Sequence, residues 1–248
     1  LNNYKLVIQY DGTNYSGWQI QLNSPTIQQK ITEVIKIITR EKVNLIGSGR
    51  TDSGVHALGQ VANFRTELDL DLYKFKFSLN SILPEDISVI HIEKVLENFH
   101  SRFDAKKRSY IYLISHIKSP FFEKYSYRYK AINFDGLSML NMLSKTFLGE
   151  HDFSSFTKKS NELENKLCNL YDIHWRRVKD KTIFYIEGNR FLRGMVRAIV
   201  GTLLYAYEKN LGEFYLKEII ERKNRCEAEE SVPAKGLFLF KVKYEDGL

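Results

Sequence analysis

Cysteine is scarce in this 248-residue chain. Its two cysteines, Cys168 and Cys226, stand far apart and form no CxxC pair. That disfavours a disulfide scaffold and a thiolate metal site, and reduced thiols in a cytosolic protein are expected. The six histidines show no HxxxH or HxxE spacing, so no metal is expected. No apolar run is long enough to span a bilayer, and the opening "LNNYKLVIQY" lacks a signal-peptide layout. The numbering opens on Leu1 rather than Met, so an initiator region ahead of it is expected. With only four prolines, no low-complexity tract and no Pro/Gly/Ser-rich linker, the length fits one large domain or two smaller ones.

What is plentiful is apolar and basic. A hydrophobic fraction of 43% suits a protein with a real core. The net charge of +7 favours a polyanionic partner, although a merely soluble basic protein fits the charge as well.

Periodicity predicts alternating strands and helices. In "YKLVIQY", Tyr4, Leu6, Ile8 and Tyr10 share one face, which reads as a strand. After a turn-rich "DGTNYSGW", Ser24 is expected to cap a helix whose first position is Pro25 and whose apolar face is Ile27, Ile31, Val34, Ile35 and Ile38. Strands are predicted at "VNLIGSG", "GQVANFRTE", "ISVIHIEKV", "RSYIYLIS", "LYDIHWRRV", "TIFYIEG" and "GLFLFKVKY". Helices are predicted at "DLYKFKFSLNSIL", "FDGLSMLNMLSKTFLGE", "FLRGMVRAIVGTLLYAYEKN" and "FYLKEIIERK". Consecutive strands with short connections imply antiparallel pairing, hence an α+β fold. The mixture comes twice, which predicts two similar halves, residues 1–104 and 105–248.

The stretch "GSGRTDSGVHALGQ", Gly47 to Gln60, packs four glycines around Arg50, Asp52 and His56. It fails the tests of its look-alikes. A P-loop needs GxxxxGK[ST] and no such lysine follows; a dinucleotide fingerprint needs a glycine where Asp52 stands. An EF-hand needs more oxygen ligands. An aspartic protease needs two carboxylates sharing a proton, and the chain has no second D[ST]G. What remains is a lone carboxylate beside a cation, which favours its ionised form. Two readings stay open: a nucleophile, or the commoner Asx-turn in which Asp52 bonds its own backbone. His56 is expected to close the loop by hydrogen bonds.

A second segment, "NRFLRGMVRAIVG", is predicted to be helical with Arg190, Arg193 and Arg197 on one face, at i, i+3 and i+7. It reads as a solvated face or as a basic stripe for phosphates or a buried carboxylate. Lys106, Lys107 and Arg108 form another basic run, followed by Tyr110 and Tyr112 alternating on one strand. Such groups suit a surface that holds a nucleic-acid backbone and stacks bases, though most aromatics are expected in the core.

Over nearly its full length the chain resembles the tRNA pseudouridine synthase A family. "YDGTNYSGWQ", "GSGRTDSGVHALGQVANF", "GEHDFSSF", "FLRGMVRAIVG" and "PAKGLFLFKVKY" resemble its blocks in order, the second containing the R-T-D-x-G-V-H-A core. The resemblance implies isomerisation of uridine to pseudouridine at positions 38, 39 and 40 of the tRNA anticodon stem-loop. It implies no cofactor, a cytoplasmic homodimer, and two α+β halves whose antiparallel sheets join into one, with the active-site cleft between them. By the same resemblance Asp52 is the catalytic nucleophile, Arg50 the signature arginine, Arg197 the arginine paired with the aspartate, and Tyr110 the active-site tyrosine. Arg190, Arg193, Lys107 and Arg108 are then expected to contact tRNA. Arg193 departs from the histidine that many members carry, and "KKRSY" from the usual "RRY".

Overall fold

Alternation builds the first strand: Tyr4, Leu6, Ile8 and Tyr10 all turn inward and are buried. The computed structural model describes residues 1–130, 132–157 and 165–245. Its elements run β1 (Asn2–Tyr10), α1 (Ile27–Thr39), β2 (Ile46–Gly47), β3 (His56–Thr66), α2 (Leu72–Ile82), β4 (Ile87–Val95), β5 (Lys107–Ser115), β6 (Tyr127–Arg128), α3 (Phe134–Ser144), β7 (Gly149–Asp152), β8 (Leu167–Val178), β9 (Lys181–Gly188), α4 (Met195–Glu208), α5 (Glu213–Arg222) and β10 (Leu237–Lys243). The fold is α+β. Its two compact units are Leu1–Lys106 with the chain from Phe238, and Lys107–Leu237.

In the first unit the strand order is β4-β1-β3-β10, with β2 paired to β3. The pairs are antiparallel, Leu6 lying opposite both Ala62 and Ile92, except that β10 runs parallel to β3. That pairing, Phe238 opposite His56 and Leu239 opposite Ala57, ties the closing strand to this unit. Helix α1 buries Ile27, Ile31, Val34 and Ile35 of the predicted stripe, and leaves Ile38, near its end, half-buried. Its cap is Thr26, whose side chain accepts from the Gln29 N–H, not Ser24 as expected. Ser24 instead bridges to Gln21, so Pro25 lies outside the helix.

The second unit is ordered β5-β9-β8-β7, with β6 parallel to β5. Trp175, Phe184, Ile186 and Tyr112 are buried on its packed face, and Met195, Ile199, Val200 and Leu203 of α4 are fully buried. Helix α3 stops at Ser144, short of the predicted "GE", because a 3-10 turn at Lys145–Phe147 leads into β7.

Each unit protects a strand with a helix asparagine. Asn80 of α2 donates to the Val89 C=O and accepts its N–H, at 2.9 and 2.8 Å. Asn141 of α3 does the same at Trp175, at 3.0 and 2.8 Å. An amide placed this way imitates the neighbouring strand that an edge lacks.

A third asparagine holds a loop. Asn63 on β3 donates to Asn3 Oδ1 at 3.0 Å and accepts the Ser101 N–H at 2.9 Å, and Asn3 donates onward to the Phe99 C=O at 2.9 Å. All three polar residues are buried. Replacing Asn63 by alanine leaves buried groups unpaired, which typically costs ~1–3 kcal/mol. Asn63→Ala is therefore expected to lower the urea midpoint by an amount worth about 2 kcal/mol; an unchanged midpoint would show that water replaces the lost partners.

Candidate active site

The glycine loop is built on buried polar pairs. Leaving β2, Ser48 donates its N–H to the Val61 C=O at 2.7 Å and its hydroxyl to Gln60 Oε1 at 2.7 Å. Gln60, fully buried, donates to the Gly49 C=O at 3.0 Å. The rising limb is thus fastened to the middle of β3 before the chain reaches Arg50.

Thr51 is the anchor on the other side. Its carbonyl accepts the Trp18 N–H at 3.1 Å, and its hydroxyl lies 2.8 Å from the Tyr10 hydroxyl. Gly17 has φ 95°, and a Cβ added there would come 2.4 Å from the Thr51 oxygen. Only glycine allows both that conformation and that approach. One residue on, the Asp52 C=O accepts the Val55 N–H at 3.2 Å and closes a turn. The Tyr15 C=O accepts from the Ser53 hydroxyl at 3.2 Å and from the Gly54 N–H at 3.4 Å. Asp52 is therefore half-buried on a turn whose two neighbours are both held by the 10–18 segment, while Arg50 is exposed.

His56 ties the loop's exit to the same segment. Its Nδ1 lies 3.1 Å from the Gly12 N–H and 3.0 Å from Asp11 Oδ1, and its ring stacks on Phe238 at 4.7 Å. The expected hydrogen-bonded closure is present, made to the first block rather than within the loop.

In the second unit the arginine stripe is corrected. Helix α4 begins at Met195, and Gly194 ahead of it has φ 75°. A left-handed residue cannot continue a helix backward, so Arg190 and Arg193 precede α4 and share no helical face with Arg197. Arg197, in the first turn, is locked by the irregular segment ahead of β10: its Nε donates to the Val232 C=O at 2.6 Å, and the Val232 N–H donates to the Arg197 C=O at 3.2 Å. The Arg193 C=O accepts the Thr157 hydroxyl at 3.1 Å.

Strand β5 and the segment after β9 come together. Arg108 donates to the Asn189 C=O at 2.8 Å, and the buried Tyr110 ring meets Phe191 edge-on at 5.1 Å. Lys107 lies 3.6 Å from Glu187 and over the Tyr171 ring at 4.8 Å. Two strand positions on, Tyr112 is buried and donates to the Pro233 C=O at 2.8 Å; burial pushes its phenol well above the usual range, against the opposing pull of Arg197. Burial likewise pushes the Cys168 thiol up to about 11, so it stays protonated near neutrality. Among the described residues no group of three or more His, Cys, Asp or Glu could hold a metal ion, and no helix is long and apolar enough to cross a membrane.

Sequence reasoning missed Tyr10, Thr51, Gln60 and Thr157 as holders of the loop and of the Arg193 segment. Tyr10 looked like one more core residue on an alternating strand, and only the sequence position of Thr51 beside Asp52 hinted at its use.

A family model described as tRNA pseudouridine synthase matches residues 6–104 and 143–245. A protein of Clostridium acetobutylicum named tRNA pseudouridine synthase A is 41% identical over 247 residues, covering 98% of this chain and all of that one. One of Caldicellulosiruptor saccharolyticus with the same name is 42% identical over 249 residues, with 98% and 100% covered. Among solved structures, an archaeal box H/ACA sRNP Nop10–Cbf5 complex is similar at TM-score 0.35 and 12% identity, over 82% of this chain and 43% of that one; a likeness so low carries no argument. Matched end to end at such identity, and by a model spanning both units, this chain belongs to the tRNA pseudouridine synthase family.

Proposed function

We propose that this protein isomerises uridine to pseudouridine at positions 38, 39 and 40 of the tRNA anticodon stem-loop, with Asp52 as covalent nucleophile. The observation that carries the reading is a carboxylate on an intact family signature, mounted on a loop that buried hydrogen bonds hold from both sides. The target base must first leave its stack, at a cost of a few kcal/mol. The N1–C1′ bond then breaks, the uracil turns, C5 bonds to C1′, and the C5 proton is lost as N1 regains one. Asp52 attacks C1′ of the ribose or C6 of the uracil and is released at the end.

Arg50 and Arg197 supply the positive charge that the family resemblance assigns to this aspartate. Tyr110 is assigned to hold the uracil and to serve the proton transfer from C5. Its buried ring, set edge-on to Phe191, gives it a fixed orientation for either task. Arg190, Arg193, Lys107 and Arg108 grip the tRNA backbone. No cofactor is required. In this reading the working form is a cytoplasmic homodimer.

Asp52→Asn is expected to lower tritium release from 5-tritiated uridine in tRNA by roughly 10⁴-fold or more, as loss of a nucleophile does elsewhere, while tRNA binding survives. Release near the wild-type rate ends the reading.

The seat of the loop makes a separate prediction. A misplacement of about 1 Å at a reacting group can cost ~100-fold. Thr51→Val and Tyr10→Phe should each lower kcat by about tenfold or more, with the double variant no worse than Thr51→Val and with Thr51→Ser largely active. A kcat for Thr51→Val within twofold of wild type contradicts a positioning role for that hydroxyl.

Because Arg193 is exposed and precedes α4, Arg193→Ala should weaken tRNA binding and make log K against log salt shallower by about one phosphate's worth. A wild-type titration that is flat in salt contradicts the backbone grip.

A further inference from the structure

The loop between β4 and β5 holds a phenylalanine out in water. Phe103 is 73% exposed, although Phe99, Ser101 and Ala105 around it are buried. A single exposed apolar side chain is ordinary. What sets this one apart is the turn beneath it.

That turn is fastened at nearly every residue. The His100 N–H donates to Asp104 Oδ2 at 2.8 Å, and the Asp104 N–H donates back to the His100 C=O at 3.0 Å. His100 Nδ1 receives the N–H groups of Arg102 and Phe103 at 3.2 and 3.3 Å. Ser101 gives its N–H to Asn63 and its hydroxyl to the Ile46 C=O at 2.5 Å, and its carbonyl accepts the Tyr244 hydroxyl at 2.7 Å. Ring and charge are set on this base: the His100 ring lies 4.3 Å from the Phe103 ring, and the Arg102 guanidinium lies 5.6 Å from its centroid.

A flat ring set out in water on a hydrogen-bonded turn, with a second ring and a cation against it, has the parts of a stacking surface for an unpaired base. The turn fixes the backbone that carries the ring, so a base that stacks there does not have to order a loop. Arg102 in the same turn and the net charge of +7 favour a polyanion as the carrier of that base.

We propose that Phe103, flanked by His100 and Arg102, is a stacking platform for an unstacked base of the RNA substrate, distinct from the residues assigned to the reacting uridine. This rests on the reading of the chain as a tRNA-modifying enzyme and adds a contact that sets how the RNA is held.

The test is binding of an unmodified tRNA transcript, at several salt concentrations, to wild type, Phe103→Ala, Phe103→Leu and Phe103→Tyr, with tritium release measured on the same preparations. Base–aromatic stacking is worth ~1–3 kcal/mol per base, about 5- to 150-fold in Kd. Phe103→Ala and Phe103→Leu should therefore weaken binding by about tenfold with the salt slope unchanged, the loss should be larger in KM than in kcat, and Phe103→Tyr should bind like wild type. Melting temperatures should not fall, since the ring is exposed. If wild type releases tritium and Phe103→Ala binds tRNA equally well, the platform alone is overturned. If Phe103→Ala instead shifts the sedimenting species to a smaller one and leaves the protomer's tRNA affinity intact, the ring serves a protein contact and the platform is again overturned. A wild type that binds no tRNA overturns both the platform and the reading beneath it.

Discussion

The seat of Thr51 is the constraint on which the glycine loop around Asp52 depends. One residue before Asp52, a carbonyl is held by the Trp18 N–H and a hydroxyl by Tyr10, with Gly17 pressed against the same peptide. Each contact is ordinary alone, worth ~0.5–1.5 kcal/mol net for a hydrogen bond. Together they fix a short turn from which a single carboxylate projects. A side chain at position 17 would displace the Thr51 oxygen, so the glycine of the first sequence block is as much a part of the loop as the glycines inside it. Gln60 and Ser48 do the same for the opposite limb, and His56 joins the exit to Asp11 and Gly12. The first two family blocks are thus one mechanical unit separated in sequence by α1 and β2.

The second unit repeats this economy with other means. The glycine before α4 turns the chain so that Arg197 enters a helix whose following residues are core, while Arg190 and Arg193 stay on the approach. Backbone atoms do most of the holding. Val232 takes both the side chain and the carbonyl of Arg197, and Thr157 takes the carbonyl of Arg193. The block "GEHDFSSF" lies just before Thr157, and its Phe153 and Phe156 are fully buried, while its Asp152 pairs with Lys223 at 3.3 Å. Paired helix asparagines, Asn80 and Asn141, at strand backbones of the two units give a physical likeness between halves that residue identity does not display.

Strands were legible because side-chain period and burial coincide, as Tyr4 to Tyr10 show, and α1 was legible from its apolar stripe. Boundaries were less so. Ser24 and Thr26 can both cap a helix, and only the geometry selects Thr26. The arginine spacing at 190, 193 and 197 satisfies a helical face on paper, but spacing is silent on the φ 75° of Gly194. Parallel pairing of β10 with β3 joins residues more than 170 positions apart and leaves no local sign. At the site, Asp52 stood out as a carboxylate that phosphate loops do not tolerate, yet its holders were illegible: a buried tyrosine hydroxyl and a threonine hydroxyl look like core and turn until their 2.8 Å approach is seen.

The most direct test of the proposed reaction is to map pseudouridine, nucleotide by nucleotide, in an unmodified tRNA transcript incubated with the purified protein alone. New pseudouridine confined to positions 38, 39 and 40, formed without added cofactor, is the predicted result. Unaltered uridine at all three positions, or modification confined to other positions, would contradict it.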